Sequence, residues 1–316
     1  MTMRAAVGDW LTRWLEGWNH FWFTPRAPQT LALIRLLAGS MLFYTHLVWG
    51  FDLLAFTGPH AWIPTEMARR EAVGTWLWSH LWYLESPTAL WTAHVLALVV
   101  FVALTIGIAT RVTSVLAWLL AVSYCHRLNG ALFGLDQINV TMAFCLAIGS
   151  SGKCYSLDAW IARRLGRQSE QPDVWTNIAV RLLQLHLCII YLFGGIGKLR
   201  GETWWIGDAF WYSIANYEYQ SWDVTWLARY PTFMSLISHA TVFWETFYCA
   251  LVWPRLTRPI ALAMAVIVHG GIALFLGMPT FGLAMIIANL AFLPEPWVAG
   301  VMRIPRSGLR VFLRAK

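Results

Sequence analysis

The chain is predicted to be all-α: a polytopic membrane helix bundle of about eight transmembrane helices with short interfacial helices between them. Three observations predict it. Of the 316 residues, 58% are hydrophobic and only 12% charged, with a mean hydropathy of +0.55, a balance that soluble domains do not reach. The apolar residues gather into long runs separated by connections rich in proline, glycine or charge. The 21 tryptophans suit long interfacial belts, where an amphipathic ring sits at headgroup level.

The first segment, residues 1–29, has no continuous apolar run and no small-residue cleavage site, so it is not read as a cleavable signal. Trp10, Leu11, Trp14, Leu15, Trp18 and Trp22 recur at helical spacing with Asp9, Arg13 and Glu16 between them, which predicts a helix lying in the interface. Pro25 and Pro28 end it. Residues 30–294 form the transmembrane domain. Its first span, Leu31 to Phe51, carries Arg35, Gly39, Leu42 and His46 on one face; eleven residues bring Arg35 and His46 back to within about 20° around the axis. A buried arginine needs an acidic residue or backbone carbonyls from elsewhere in the bundle; snorkelling to the headgroups is the alternative. The Trp- and Pro-bearing connection from Asp52 to Ala89 is expected to hold short interfacial helices. Trp91 to Ile108 and Val112 to Cys125 are the second and third spans. The fourth, Ala131 to Gly149, places Asp136 and Asn139 as i, i+3 neighbours, and Asp136 is the expected partner of Arg35. A polar loop, Ser150 to Thr176, divides the two halves.

The fifth span, Asn177 to Leu199, is the most informative. At about 100° per residue, Arg181, Gln184, Cys188, Tyr191, Gly195 and Lys198 share one stripe, and a polar stripe along a membrane helix should face protein or a water-filled cavity. Gly194, Gly195 and Gly197 would let another helix or a flat ligand come close. Beyond an aromatic segment, Arg200 to Pro231, the sixth span (Phe233 to Trp253) carries Glu245 deep in an apolar run, where it calls for a cation. The seventh (Ile260 to Leu276) holds His269, and the eighth runs from Phe281 to Leu293. Residues 295–316 are a basic tail. Arg35, His46, Asp136, Asn139, Arg181 and Glu245 are thus the expected intramembrane polar network.

The net charge of +7 is a topology signal rather than a nucleic-acid footprint, because basic residues collect on one side of membrane proteins. The tail holds five Arg or Lys and the central loop four, whereas Asp52 to Ala89 and Arg200 to Pro231 each carry a net of −2. With eight spans this puts both termini in the cytoplasm, in a cell membrane, and brings Lys198 and His269 to a similar depth beneath the outer Trp-rich loops. The five cysteines have no metal-ligand spacing, so no metal and no disulfide framework are expected. Membrane lipids and a lipid-soluble small molecule are the expected partners and no nucleic acid is; protein partners are left open.

The runs L-A-L-I-R-L-L-A-G at Leu31 to Gly39 and Y-L-F-G-G-I-G-K-L-R-G-E-T-W-W-I-G at Tyr191 to Gly207, with His269 in a late span, resemble the HTTM membrane family, bacterial relatives of vitamin K-dependent gamma-glutamyl carboxylase. The resemblance covers roughly Pro25 to Pro294. It implies Lys198 as a base toward a reduced quinone and His269 as its helper. Tyr191, on the Lys198 stripe, and Trp204 and Trp205, just beyond it, are expected to wall one cavity with them. Gly197 stands where the carboxylase has a first lysine, Arg200 replaces an acidic residue, and no large extracytoplasmic β domain follows. The resemblance therefore extends to the membrane core and leaves glutamate carboxylation open. Three readings stand: an enzyme acting on a quinone or other lipid-soluble substrate, a non-catalytic transporter or binding protein, and a structural assembly factor.

The loop charges generate a direct test. Cysteine-accessibility labelling of a Glu202→Cys variant should succeed from outside the cell and that of Ser307→Cys should not; the opposite pattern would invert the topology.

Overall fold

The computed structural model of the chain describes residues 3–302, so Arg303, Arg306, Arg310, Arg314 and Lys316 of the basic tail lie outside the described residues. Helix α1 (Met3–Phe23) is followed by α2 (Gln29–Gly50), two short helices α3 (Leu53–Thr57) and α4 (Thr65–Ala72), then α5 (Pro87–Ile106), α6 (Thr110–Arg127) and α7 (Gly134–Ile148). The second half comprises α8 (Leu157–Arg164), α9 (Val174–Leu199), short α10 (Glu202–Ile206) and α11 (Ala209–Ile214), then α12 (Pro231–Leu251), α13 (Arg258–Phe275), α14 (Pro279–Asn289) and α15 (Glu295–Met302). Every segment read as a span is helical. Among the described residues, α2, α5, α9 and α13 are long and apolar enough to cross a membrane by length and composition, and α7 and the stretch from Pro279 to Phe292 are shorter apolar helices.

Local chemistry sets the boundaries. Proline at the first turn opens α5, α12 and α13 as well as α14, where its missing N–H would have had no helical partner. Ser86 caps α5 by accepting from Ala89 N, and Asp173 caps α9 by accepting from Thr176 N at 3.0 Å. Burial would raise the Asp173 carboxyl, but hydrogen bonds from Lys153 and Thr176 outweigh it and hold it below its ordinary range.

Helices α2, α5, α6 and α7 pack in sequence order as one half, and α9, α12, α13 and α14 form the other; α7 and α14 join the halves by touching both α2 and α9. The inside is apolar, with Leu42, Phe101, Met142 and Leu187 buried. So is much of the outside: Val95, Leu96 and Val99 of α5 and Ile260, Val266 and Ile267 of α13 are exposed, as hydrocarbon surroundings require. Helices α9 and α12 approach closely at Gly195. A Cβ on Gly195 would fall 2.6 Å from Thr246 N and 2.8 Å from its Cα.

Arg35 is fully buried, but Asp136 does not meet it. Arg35 Nη1 donates to the Ser151 carbonyl at 3.2 Å and Nη2 to the Tyr155 carbonyl, both in the loop after α7. Gly107, at φ +73°, lets the guanidinium through; a Cβ there would sit 2.5 Å from Arg35 Nη1. Asp136 is occupied at the start of its own helix, where its carboxylate accepts from Phe133 N at 3.0 Å. Since α7 begins at Gly134 and not Ala131, Asp136 lies in the first turn, where a carboxylate satisfies orphan N–H groups.

Gly195 and Gly197 therefore have opposite expectations. Gly195→Ala must separate α9 from α12 and should lower the thermal unfolding midpoint, whereas Gly197, with nothing within 4 Å of an added Cβ, should tolerate alanine or gain up to about 1 kcal/mol from helix propensity. Equal effects of the two substitutions would refute the close-contact assignment.

Candidate functional site

The polar stripe of α9 faces protein along its length, but its two ends enter different surroundings. Arg181 and Lys198 are 17 positions apart, about 25 Å along the axis, with Leu187 and Cys188 packed into the core between them. Arg181 therefore does not belong with Lys198.

At the C-terminal end, Lys198 Nζ meets Glu245 Oε2 of α12 at 2.6 Å, with the carboxylate side chain only 10% exposed. Gly194 lies beside that carboxylate: an added Cβ would be in ordinary contact with Glu245 Oε2 at 3.4 Å. The ammonium also lies 5.3 Å from the ring centre of Trp204, a cation–π arrangement that fixes the long side chain. Trp204 and Trp205, with Val242, Phe243 and Phe247, line an adjacent apolar groove of about 250 Å³. Lys198 is not among the groove's lining residues and is linked to it through Trp204, which it faces and which lines the groove. Tyr191 and His269 are not among the groove's lining residues.

Deeper by two turns of α9, Tyr191 and His269 meet each other. The Tyr191 hydroxyl is 2.8 Å from His269 Nε2, Asn289 Nδ2 donates to the same hydroxyl at 2.9 Å, and the Tyr248 hydroxyl donates to Asn289 Oδ1 at 2.6 Å. Proton roles follow from the one partner whose role is fixed. The Met285 carbonyl, 2.9 Å from Asn289 Nδ2, can only accept, which sets the amide orientation and makes Tyr248 the donor. Tyr191 then accepts from Asn289 and has its own proton free for His269 Nε2. If Tyr191 donates to Nε2, His269 carries its proton on Nδ1, a buried atom with no hydrogen-bond partner among the described residues. Aromatic rings enclose the cluster: Tyr191 lies 4.9 Å from Trp244 and 4.1 Å from Tyr248. Lys198 is within Coulombic range of His269, and Glu245 of Tyr191.

The remaining residues of the expected network lie elsewhere. His46 Nδ1 is held by the Leu42 carbonyl at 2.8 Å, and its ring packs on Phe101 and Tyr124. Asn139 is buried with its Oδ1 unpartnered. Arg181 stacks over Phe21 and donates to Gln184. Sequence reasoning passed over Asn289, Tyr248 and Trp244. Asn289 carried the one usable signal, an amide inside the last apolar run. Among the described residues no group of histidine, cysteine, aspartate or glutamate could hold a metal ion.

The HTTM domain family matches residues 23–297. Comparison with curated proteins and with solved structures gives no match.

The Lys198–Glu245 pair bridges two helices in apolar surroundings, so losing one partner strands the other charge at a cost of about 3 kcal/mol or more. Glu245→Leu alone should lower the unfolding midpoint sharply, and adding Lys198→Met should restore most of it. A double variant no more stable than the single one would show that the pair is not coupled.

Proposed function

Because the chain belongs to the HTTM family, we propose that this integral membrane protein is a carboxylase-like enzyme acting on a lipid-soluble substrate of the quinone class, with Lys198 as base and His269 as electrostatic helper. One observation carries the reading: a lysine paired with a single carboxylate lies two turns of α9 from the Tyr191–His269 pair, and His269 Nδ1 is buried with no hydrogen-bond partner among the described residues. The site opens, in this reading, at the extracytoplasmic end of the bundle.

The residues fit such a group. The groove beside Lys198 is apolar and aromatic, suited to a flat ring, and its polar neighbours are few and convergent, the usual form of a small-molecule site. A reduced quinone, when bound, supplies an ionisable ring hydroxyl and two electrons.

Lys198 can accept a proton only as a neutral amine, and Glu245, 2.6 Å away, is the group positioned to hold the proton that the lysine gives up. Away from water, the ionic pair loses hydration, which narrows its advantage over the neutral amine and carboxylic acid pair. With Tyr191 donating to Nε2, His269 would carry its proton on Nδ1 and offer it to negative charge developing on a ligand oxygen. Tyr191, Asn289 and Tyr248 position that imidazole and hold its tautomer, as partners of a functional histidine commonly do.

Lys198→Arg distinguishes a base from a structural cation. Arginine keeps the charge and the bridge to Glu245 but cannot be deprotonated in this range. The purified protein is expected to bind a short-tailed reduced naphthoquinone, followed by tryptophan quenching, and to promote its oxidation to the quinone by added dioxygen, which takes up the two electrons and two protons as hydrogen peroxide. Lys198→Arg should bind it and lose at least about a hundredfold in turnover. Unchanged turnover in Lys198→Arg, or no binding by the wild type, would overturn the reading in favour of a structural pair.

A further inference from the structure

At the opposite end of α9, a pocket of about 280 Å³ is lined by Arg26, Arg181 and Arg258 together with Asn177, Gln184 and Glu295. The arginines come from three separate segments: the link between α1 and α2, the second turn of α9, and the first residue of α13. They lie within Coulombic range of one another. Glu295, 2.7 Å from Arg26 Nε, is the carboxylate lining the pocket. Three cations thus face one anion.

Each guanidinium is held by the protein through only part of its donor set. Arg181 donates Nε to the Phe21 carbonyl and Nη1 to Gln184, and its plane is fixed 4.2 Å from the Phe21 ring centre. Arg258 donates Nε to the Val252 carbonyl and Nη2 to that of Trp253. Arg26 donates Nε to Glu295. Among the described residues this leaves Arg26 Nη1 and Nη2, Arg181 Nη2 and Arg258 Nη1 without a hydrogen bond.

Among the described residues, the pocket lining supplies no carboxylate besides Glu295. Residues 303–316 contain neither aspartate nor glutamate, so their side chains add none. Clustered, immobilised cations of this kind repel one another unless an anion joins them. The planar donors of arginine match the tetrahedral oxygens of phosphate, often two at a time. The rim carries Trp253, Phe292 and Leu293, an apolar shelf beside the charge, and basic pockets between membrane helices are known to take anionic lipid headgroups.

We propose that the pocket formed by Arg26, Arg181 and Arg258 binds a phosphate group, carried either by an anionic phospholipid headgroup or by a soluble phosphorylated anion. It is separate from the Lys198 site and does not depend on it.

The test uses the full chain in a neutral detergent. Its thermal unfolding is followed while soluble dihexanoylphosphatidylglycerol, dihexanoylphosphatidylcholine or inorganic phosphate is titrated in. A saturable rise in midpoint with the phosphatidylglycerol, much weaker with the phosphatidylcholine whose choline would face the arginines, supports a lipid source. An equal rise with inorganic phosphate supports a soluble one. Arg181→Gln and Arg258→Gln should each raise the half-maximal concentration about tenfold or more, while Arg163→Gln, on the exposed face of α8, should leave it unchanged. Glu295→Gln, which removes the competing anion, should lower it, a direction a purely structural ion pair does not predict and a safeguard if an arginine variant fails to fold. No saturable response to either phosphate compound, unaltered half-maximal concentrations in both arginine variants, or an equal weakening by Arg163→Gln would overturn the proposal.

Discussion

The close approach of α9 and α12 at Gly195 governs the rest of this half of the bundle. With only a hydrogen in place of a side chain, the α9 backbone comes against Thr246, and the residues flanking that contact are brought within reach of each other. Glu245, one residue before Thr246, can then meet Lys198 at 2.6 Å. Below the contact, the same spacing lets Tyr191 lie against both Trp244 and Tyr248. A lysine at the end of a membrane helix would otherwise extend toward the headgroups; a carboxylate presented this near holds it in the bundle.

A second consequence follows from the length of α9. At 26 residues the helix is long enough for its polar stripe to serve two ends separated by an apolar waist at Leu187 and Cys188. The waist is packed against the core and leaves no polar continuity between Gln184, which donates to the Ala291 carbonyl, and Tyr191, which belongs to the His269 cluster. What reads as one periodic feature is two sites on one rod.

This explains what the sequence made legible. Periodicity is a property of one helix, so the inward stripe from Arg181 to Lys198 was readable, as was the need of Glu245 for a cation. Pairing across helices was not. The two terminal nitrogens of Arg35 are met by carbonyls of a loop whose geometry includes Tyr155 at φ +49°, and its guanidinium fits in the space above Gly107, neither of which has a periodic signature. Asp136 was misplaced because a three-residue shift in the start of α7 turns an interior carboxylate into a first-turn cap, and helix ends are where sequence patterns are weakest. Asn289 and Tyr248 escaped because their value lies in joining Tyr191 to a fixed acceptor, the Met285 carbonyl, and that link exists only once four helices are assembled.

Unsatisfied buried polar atoms alone do not single out a functional site here. His46 Nε2, His94 Nε2 and two nitrogens of Arg127 are also without partners, and each lies among packed aromatic or loop groups. The two ends of α9 differ in that charge, unspent hydrogen-bond capacity and space coincide. At one end the Lys198–Glu245 pair shares Trp204 with an aromatic groove, and the Tyr191–His269 cluster lies two turns of α9 deeper; at the other, three guanidinium groups share a pocket with one carboxylate. A polar group held rigidly beside open volume retains its interaction energy for a ligand, whereas one buried in packed surroundings has already surrendered it to the fold. That difference in where interaction energy remains available sets the two ends of α9 apart from Arg35, the most deeply buried charge of the first span, which belongs to the architecture.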